Sequence, residues 1–140
     1  MSNNAEYDSL VSQKSSAQSQ YNACSLRIEN CDYLLRRLRL AKESIVELKE
    51  AFKSNKKLDK NLREERRDWK GSTNNSFSTK MSTLVDVNDS YYKDSIDHIL
   101  DSLNNEITRI ENQRMSEYGL LGRIGSWINS LANKIENFCN

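Results

Sequence analysis

The chain has 140 residues, with 21 Lys and Arg against 20 Asp and Glu, four Gly and no Pro. That is length for one domain over residues 1–140, and the near absence of Gly and Pro removes the vocabulary of tight turns that sandwiches, barrels and βαβ units need. A hydrophobic share of 36% lies below the roughly 45–50% of ordinary globular domains, so the apolar residues are expected to form seams between helices instead of a thick core. The near-zero net charge conceals an asymmetry. Residues 1–70 carry 15 basic and 11 acidic side chains, residues 71–140 carry 6 and 9, and the two halves attract each other. No run of about 18 apolar residues occurs, and the opening MSNNAEYDSL lacks the layout of a signal peptide; the expected location is the cytoplasm.

From Tyr7 onward the apolar residues recur at alternating steps of three and four: Leu10, Ala17, Tyr21, Cys24, Ile28, Cys31, Leu35, Leu38, Ile45 and Phe52. This is a heptad seam. Lys14, Lys42 and Lys49 interrupt it at the second core-type position, and residues 12–20 read SQKSSAQSQ, so the first turns are expected to fray or to need a partner. The seam looks strongest from Ile28 to Phe52. Leu58, Leu62 and Trp69 continue it thinly with nothing to stop the helix before Gly71, which places helix 1 at about 5–69. Cys24 and Cys31 would stand about 10 Å apart along one helix, too far to bridge, and read as small buried hydrophobes.

Gly71 is followed by Ser72, Thr73, Asn74 and Asn75, residues that cap helices and tolerate turn geometry. The turn is therefore placed at 70–75. The periodic pattern resumes at Phe77, Met81 and Leu84 and continues through Tyr92, Ile96, Ile99, Leu103, Ile107 and Ile110, a second helix at about 76–118. Folding at residue 71 sets residues equidistant from it face to face. The stretch 36–67, with 12 basic and 6 acidic residues, then lies opposite Asp86, Asp89, Asp94, Asp97, Asp101 and Glu106. The expected fold is all-α: a long antiparallel two-helix hairpin. Residues 119–138 carry Gly119, Gly122 and Gly125 among Leu120, Leu121, Ile124, Trp127, Ile128 and Leu131, and read as a short C-terminal amphipathic helical segment behind a joint at Gly119.

Little in the chain suggests catalysis, and a thin helical pair offers no deep cavity in which to desolvate polar groups. His98, the one histidine, sits beside the Ile96/Ile99 stripe and reads as a seam-edge residue. No metal-ligand spacing or phosphate-cradling loop occurs, so no enzyme activity, cofactor or metal is expected. The basic residues of helix 1 are interleaved with Glu43, Glu47, Glu50, Glu64 and Glu65 and face the acidic row of helix 2, which argues against nucleic acid. The tail holds only Arg123 and Lys134 as cations, too few for attraction to an anionic bilayer; packing against the hairpin or a partner is expected instead. Leu34, Val46, Leu48, Val85 and Tyr92 stand just off the seam and widen each apolar stripe beyond what one neighbouring helix covers. The seam offered to a partner is assigned to Leu35, Leu38, Ile45, Leu48 and Phe52 on helix 1 and to Leu84, Tyr92, Ile96, Ile99 and Leu103 on helix 2.

The turn reads Asp68-Trp69-Lys70-Gly71, with Phe77 six residues beyond the glycine. Trp-x-Gly between two long amphipathic helices resembles the WXG superfamily of type VII secretion proteins. A charged, Leu-rich helix 1 and an acidic helix 2 ending NNEITRIENQ make the chain similar to its YwqH-like branch over roughly residues 20–118. These small proteins are associated with LXG-type toxins of Gram-positive bacteria. The resemblance implies Trp69, Gly71 and Phe77 as the turn motif. It also implies a non-enzymatic targeting chaperone whose hairpin docks on the helical N-terminal region of an LXG toxin or on another small WXG-like protein. The secretion signal Tyr-x-x-x-Asp/Glu is absent: Tyr118 is followed four residues later by Gly122. If the protein is exported, its partner supplies the signal. The alternative expectation is a homodimeric coiled-coil structural or adaptor protein without a role in secretion.

Overall fold

The computed structural model describes residues 2–65 and 72–140, with side chains described at 4–58, 79–80, 82–84 and 86–140. All of it is helical but the last residue. Helix α1 spans Ser2–Glu65 and α2 spans Ser72–Cys139, an all-α hairpin as the composition predicts. Residues 66–71, and with them Trp69, Lys70 and Gly71 of the turn motif, lie outside the described residues; Phe77 falls within α2 but its side chain lies outside them too. Residues 72–75, expected in the turn, are helical. Ser, Thr and Asn favour the opening of a helix as well as a turn, and here the helix takes them.

The chain divides into two compact units. A terminal unit joins Met1–Arg37 with Ile107–Asn140, and a central unit comprises Leu38–Glu106. Within each, α1 and α2 run antiparallel. In the terminal unit Tyr7 meets Phe138, Cys24 meets Glu117 and Asp32 meets Arg114; in the central unit Lys49 meets Asp97 and Lys56 meets Asp89. Numbers rise on α1 as they fall on α2, the register expected of a fold near residue 71.

The heptad pattern decides where the core sits. Among the described residues, nine of the ten buried apolar ones belong to the terminal unit: Ala17, Cys24, Ile28, Cys31 and Leu35 from α1, and Ile107, Ile110, Ile124 and Leu131 from α2. Each large aliphatic among them contributes on the order of 1.5–3 kcal/mol. Cys24 and Cys31 are both free and buried, as their spacing predicts. Among the described residues the central unit contributes only Ile96. The reason is compositional. There, core-type positions of α1 hold Lys42, Lys49 and Lys56, whose ammonium groups must keep contact with water or a carboxylate.

Two expectations are corrected. The Ser/Gln-rich turns at 12–20 do not fray: Ala17 is fully buried, and the best-packed part of the α1 seam runs from Ala17 to Leu35, whereas Leu38, Ile45 and Phe52 are only half-buried. Nor does the second helix break at Gly119, because α2 continues unbroken to Cys139. Both differences have one cause. Residues 119–138 extend the α2 seam and cover the start of α1: Ile124 packs with Cys24 and Ile28, flanked by Tyr21, Leu120, Leu121 and Ile128. Burying that set outweighs the roughly 1 kcal/mol that each helical glycine costs. A Cβ at Gly125 would stand 3.7 Å from the Tyr21 ring, in ordinary van der Waals contact.

A Cβ at Gly119 or Gly122 meets nothing within 4 Å. The double variant Gly119→Ala/Gly122→Ala should therefore raise the melting temperature followed by circular dichroism by about 3–8 °C, the equivalent of about 0.5–1 kcal/mol per site. An unchanged or lower melting temperature would show that α2 is not continuous there.

Candidate partner-docking surface

The two units differ in how their seams are closed. In the terminal unit polar contacts close the edges of the seam. Cys24 Sγ–H is shared between the main-chain oxygen of Glu117 at 3.1 Å and its carboxylate at 3.2 Å, and Arg27 Nε donates to the same carboxylate at 3.0 Å. Donation from Cys24, and then from Arg27, holds the Glu117 carboxyl below its ordinary range against the opposing effect of desolvation. Burial, reinforced by Glu117, pushes the Cys24 thiol up. On the opposite edge Arg114 pairs with Asp32, which holds the guanidinium more firmly protonated, and lies 4.9 Å from the centre of the Tyr118 ring. The residue types gave no advance sign of the Cys24–Glu117 contact; only their near-equal distance from the turn could have suggested it.

In the central unit charged side chains enter the seam. Lys49 bonds Asp97 at 2.9 Å and Lys56 bonds Asp89 at 2.7 Å, the basic-to-acidic pairing that the charge split predicts. These side chains are 22–50% exposed, so each pair is worth at most about 1 kcal/mol. Lys49, Lys53, Lys56, Lys93 and Asp89 wall an open groove of about 160 Å³ floored by Phe52 and Ile96. Phe52 meets Tyr92 at 5.2 Å between ring centres.

The residues assigned to a partner seam separate into three groups. Leu35 and Ile96 are buried within their own units and are not available. Leu38, Ile45, Phe52 and Leu103 are half-buried. Leu48, Leu84, Tyr92 and Ile99 are 42–54% exposed and remain open to another molecule. Of the off-seam residues, Val46 is exposed and Leu34 half-buried, while the Val85 side chain lies outside the described residues. His98 is exposed. Among the described residues no three His, Cys, Asp or Glu side chains gather in a way that could hold a metal ion, and no helix is long and apolar enough to cross a membrane.

The model of the YwqH-like family matches residues 5–133, nearly the whole of both helices. The chain belongs to the YwqH-like family. The match reaches further than the resemblance over residues 20–118, taking in the start of α1 and most of the segment beyond Gly119 that packs upon it. No curated protein and no solved structure matches the chain.

The shifts at Glu117 and Cys24 set a pH dependence. A carboxyl whose folded value is lowered contributes stability that is present above its unfolded value and is lost as pH falls through the folded one; a thiol whose folded value is raised contributes stability that is lost as pH climbs through its folded value. The urea midpoint should therefore fall below about pH 4.5 and again above about pH 9, the ordinary values of the two groups. In Glu117→Gln the acid loss should shrink. An acid limb identical to that of the unsubstituted protein would contradict the role given to this carboxylate.

Proposed function

We propose that this member of the YwqH-like family is a non-enzymatic adaptor of the WXG type. Its hairpin docks on the helical N-terminal region of an LXG-type toxin, or on another small WXG-like protein, and guides that client to type VII secretion. The observation that carries the reading is the apolar surface left uncovered in the central unit. Leu48 of α1 and Leu84, Tyr92 and Ile99 of α2 are exposed there, around a seam in which Ile96 is the one buried apolar residue among those described. Large exposed apolar side chains grouped in one unit mark a surface that another protein covers. Family membership over residues 5–133 and the Trp-x-Gly sequence of Trp69 and Gly71, with Phe77 beyond it, support the assignment of the client.

Adaptor action of this kind needs no catalytic group, cofactor or metal. It needs a client whose own apolar stripe is unsafe in water and a surface that covers it until delivery. The adaptor meets the client in the cytoplasm, and the missing Tyr-x-x-x-Asp/Glu sequence makes the client the bearer of the export signal. Neither nucleic acid nor a bilayer has a part in this mechanism.

Co-expression with the helical N-terminal region of an LXG toxin encoded beside the gene provides the test. The two chains should copurify in fixed stoichiometry, and Tyr92→Glu should reduce recovery of the toxin region at least tenfold while the adaptor's helical content is unchanged. Failure of the unsubstituted chains to copurify would overturn the reading.

A further inference from the structure

The central part of α1 carries a second heptad row beside the first. Ala41, Ser44, Leu48, Ala51, Asn55 and Leu58 follow one another at steps of three and four, lie about 100° round the helix from the seam that faces α2, and are all exposed. On α2 the same offset selects Asn88, Tyr92, Ser95, Ile99 and Ser102, all exposed except Ser95, which is half-buried. The two rows flank the same side of the seam, as the contact between Phe52 and Tyr92 across that edge requires. No charged residue occurs in either row, in a chain that is 29% charged. The same positions carry Glu106 at the end of the central unit and Arg27, Arg37, Arg109 and Arg123 in the terminal unit, so the uncharged stretch spans residues 41–58 on α1 and 88–102 on α2.

The antiparallel register sets the two rows in matched layers, three of which join a bulky residue to a small one: Ile99 beside Ser44, Leu48 beside Ser95, Tyr92 beside Ala51; a fourth joins Ala41 to Ser102. One layer is wholly polar, Asn55 beside Asn88. We infer that this face is a self-complementary interface and that its occupant is a second copy of the chain, related by a two-fold axis parallel to the helices. That axis lays α1 of one copy against α2 of the other at the same level. Leu48 then covers the partner's Ser95, Ile99 covers the partner's Ser44, and Tyr92 covers the partner's Ala51. Asn55 meets the partner's Asn88, and a buried amide layer of this kind fixes register. An isologous arrangement answers every knob with a hole. The inference stands apart from the secretion reading, because it requires no client. A client that used this face would exchange with the second copy.

Sedimentation velocity on the full chain tests it. A dimer is expected, and Ala51→Glu should weaken association at least tenfold with unchanged helical content. Val46→Glu, which alters an exposed apolar residue on the other side of the seam, should leave the dimer intact. In a Cys139→Ser background, oxidising a mixture of Asn55→Cys and Asn88→Cys chains should cross-link one to the other, with neither cross-linking to itself. A monomer at every concentration, a dimer indifferent to Ala51→Glu, or self-cross-linking of Asn55→Cys would overturn the inference. Loss of the toxin region in copurification, with the dimer intact, would count against the secretion reading alone.

Discussion

The structure depends on what occupies the core-type heptad positions of α1. Where they hold Ala17, Cys24, Ile28, Cys31 and Leu35, the opposing residues of α2 close over them and the helices exclude water. Where they hold Lys42, Lys49 and Lys56, the helices stay paired through carboxylates but cannot dry the space between them, because an ammonium group leaves water only at a cost of several kcal/mol. One helix thus carries two kinds of interface in succession. A change of residue type within an unbroken pattern of threes and fours is enough to produce them.

Much of this was legible in the sequence. The absence of Pro, the scarcity of Gly and the spacing of Leu10 to Phe52 identify two long helices, and the split of charge about the midpoint anticipates Lys49 with Asp97 and Lys56 with Asp89. The position of the core was misjudged, for a physical reason. Composition makes residues 12–20 look weak, but Ala17 within them is buried, in a unit that only the long antiparallel register completes with residues 119–138. The glycines at 119, 122 and 125 suggest a joint when weighed by propensity alone, yet α2 runs through them because Ile124, Ile128 and Leu131 have a seam to enter. Periodicity marks the apolar stripe of each helix. It could not separate Leu35 and Ile96, which the hairpin itself consumes, from Leu48, Tyr92 and Ile99, which it leaves open.

The two units are held differently. The terminal unit has nine of the ten buried apolar residues among those described, with Cys24, Glu117 and Arg27 on one edge and Asp32 and Arg114 on the other. The central unit has charged pairs in its seam and exposed Leu, Ile and Tyr side chains beside it. A surface of that kind is an expense in an isolated protein and an asset in one that exists to be covered, whether by its own copy or by a client.

Native-state hydrogen exchange of the isolated Ala51→Glu chain, read residue by residue, tests this division most directly. Amides between residues 17 and 35 and between 107 and 131 should exchange only with opening free energies close to that of global unfolding, while those between 38 and 58 and between 86 and 106 should exchange through smaller, local openings. Equal protection in both units, or stronger protection in the central one, would contradict the claim that the terminal unit carries the fold and the central unit is left open for another molecule.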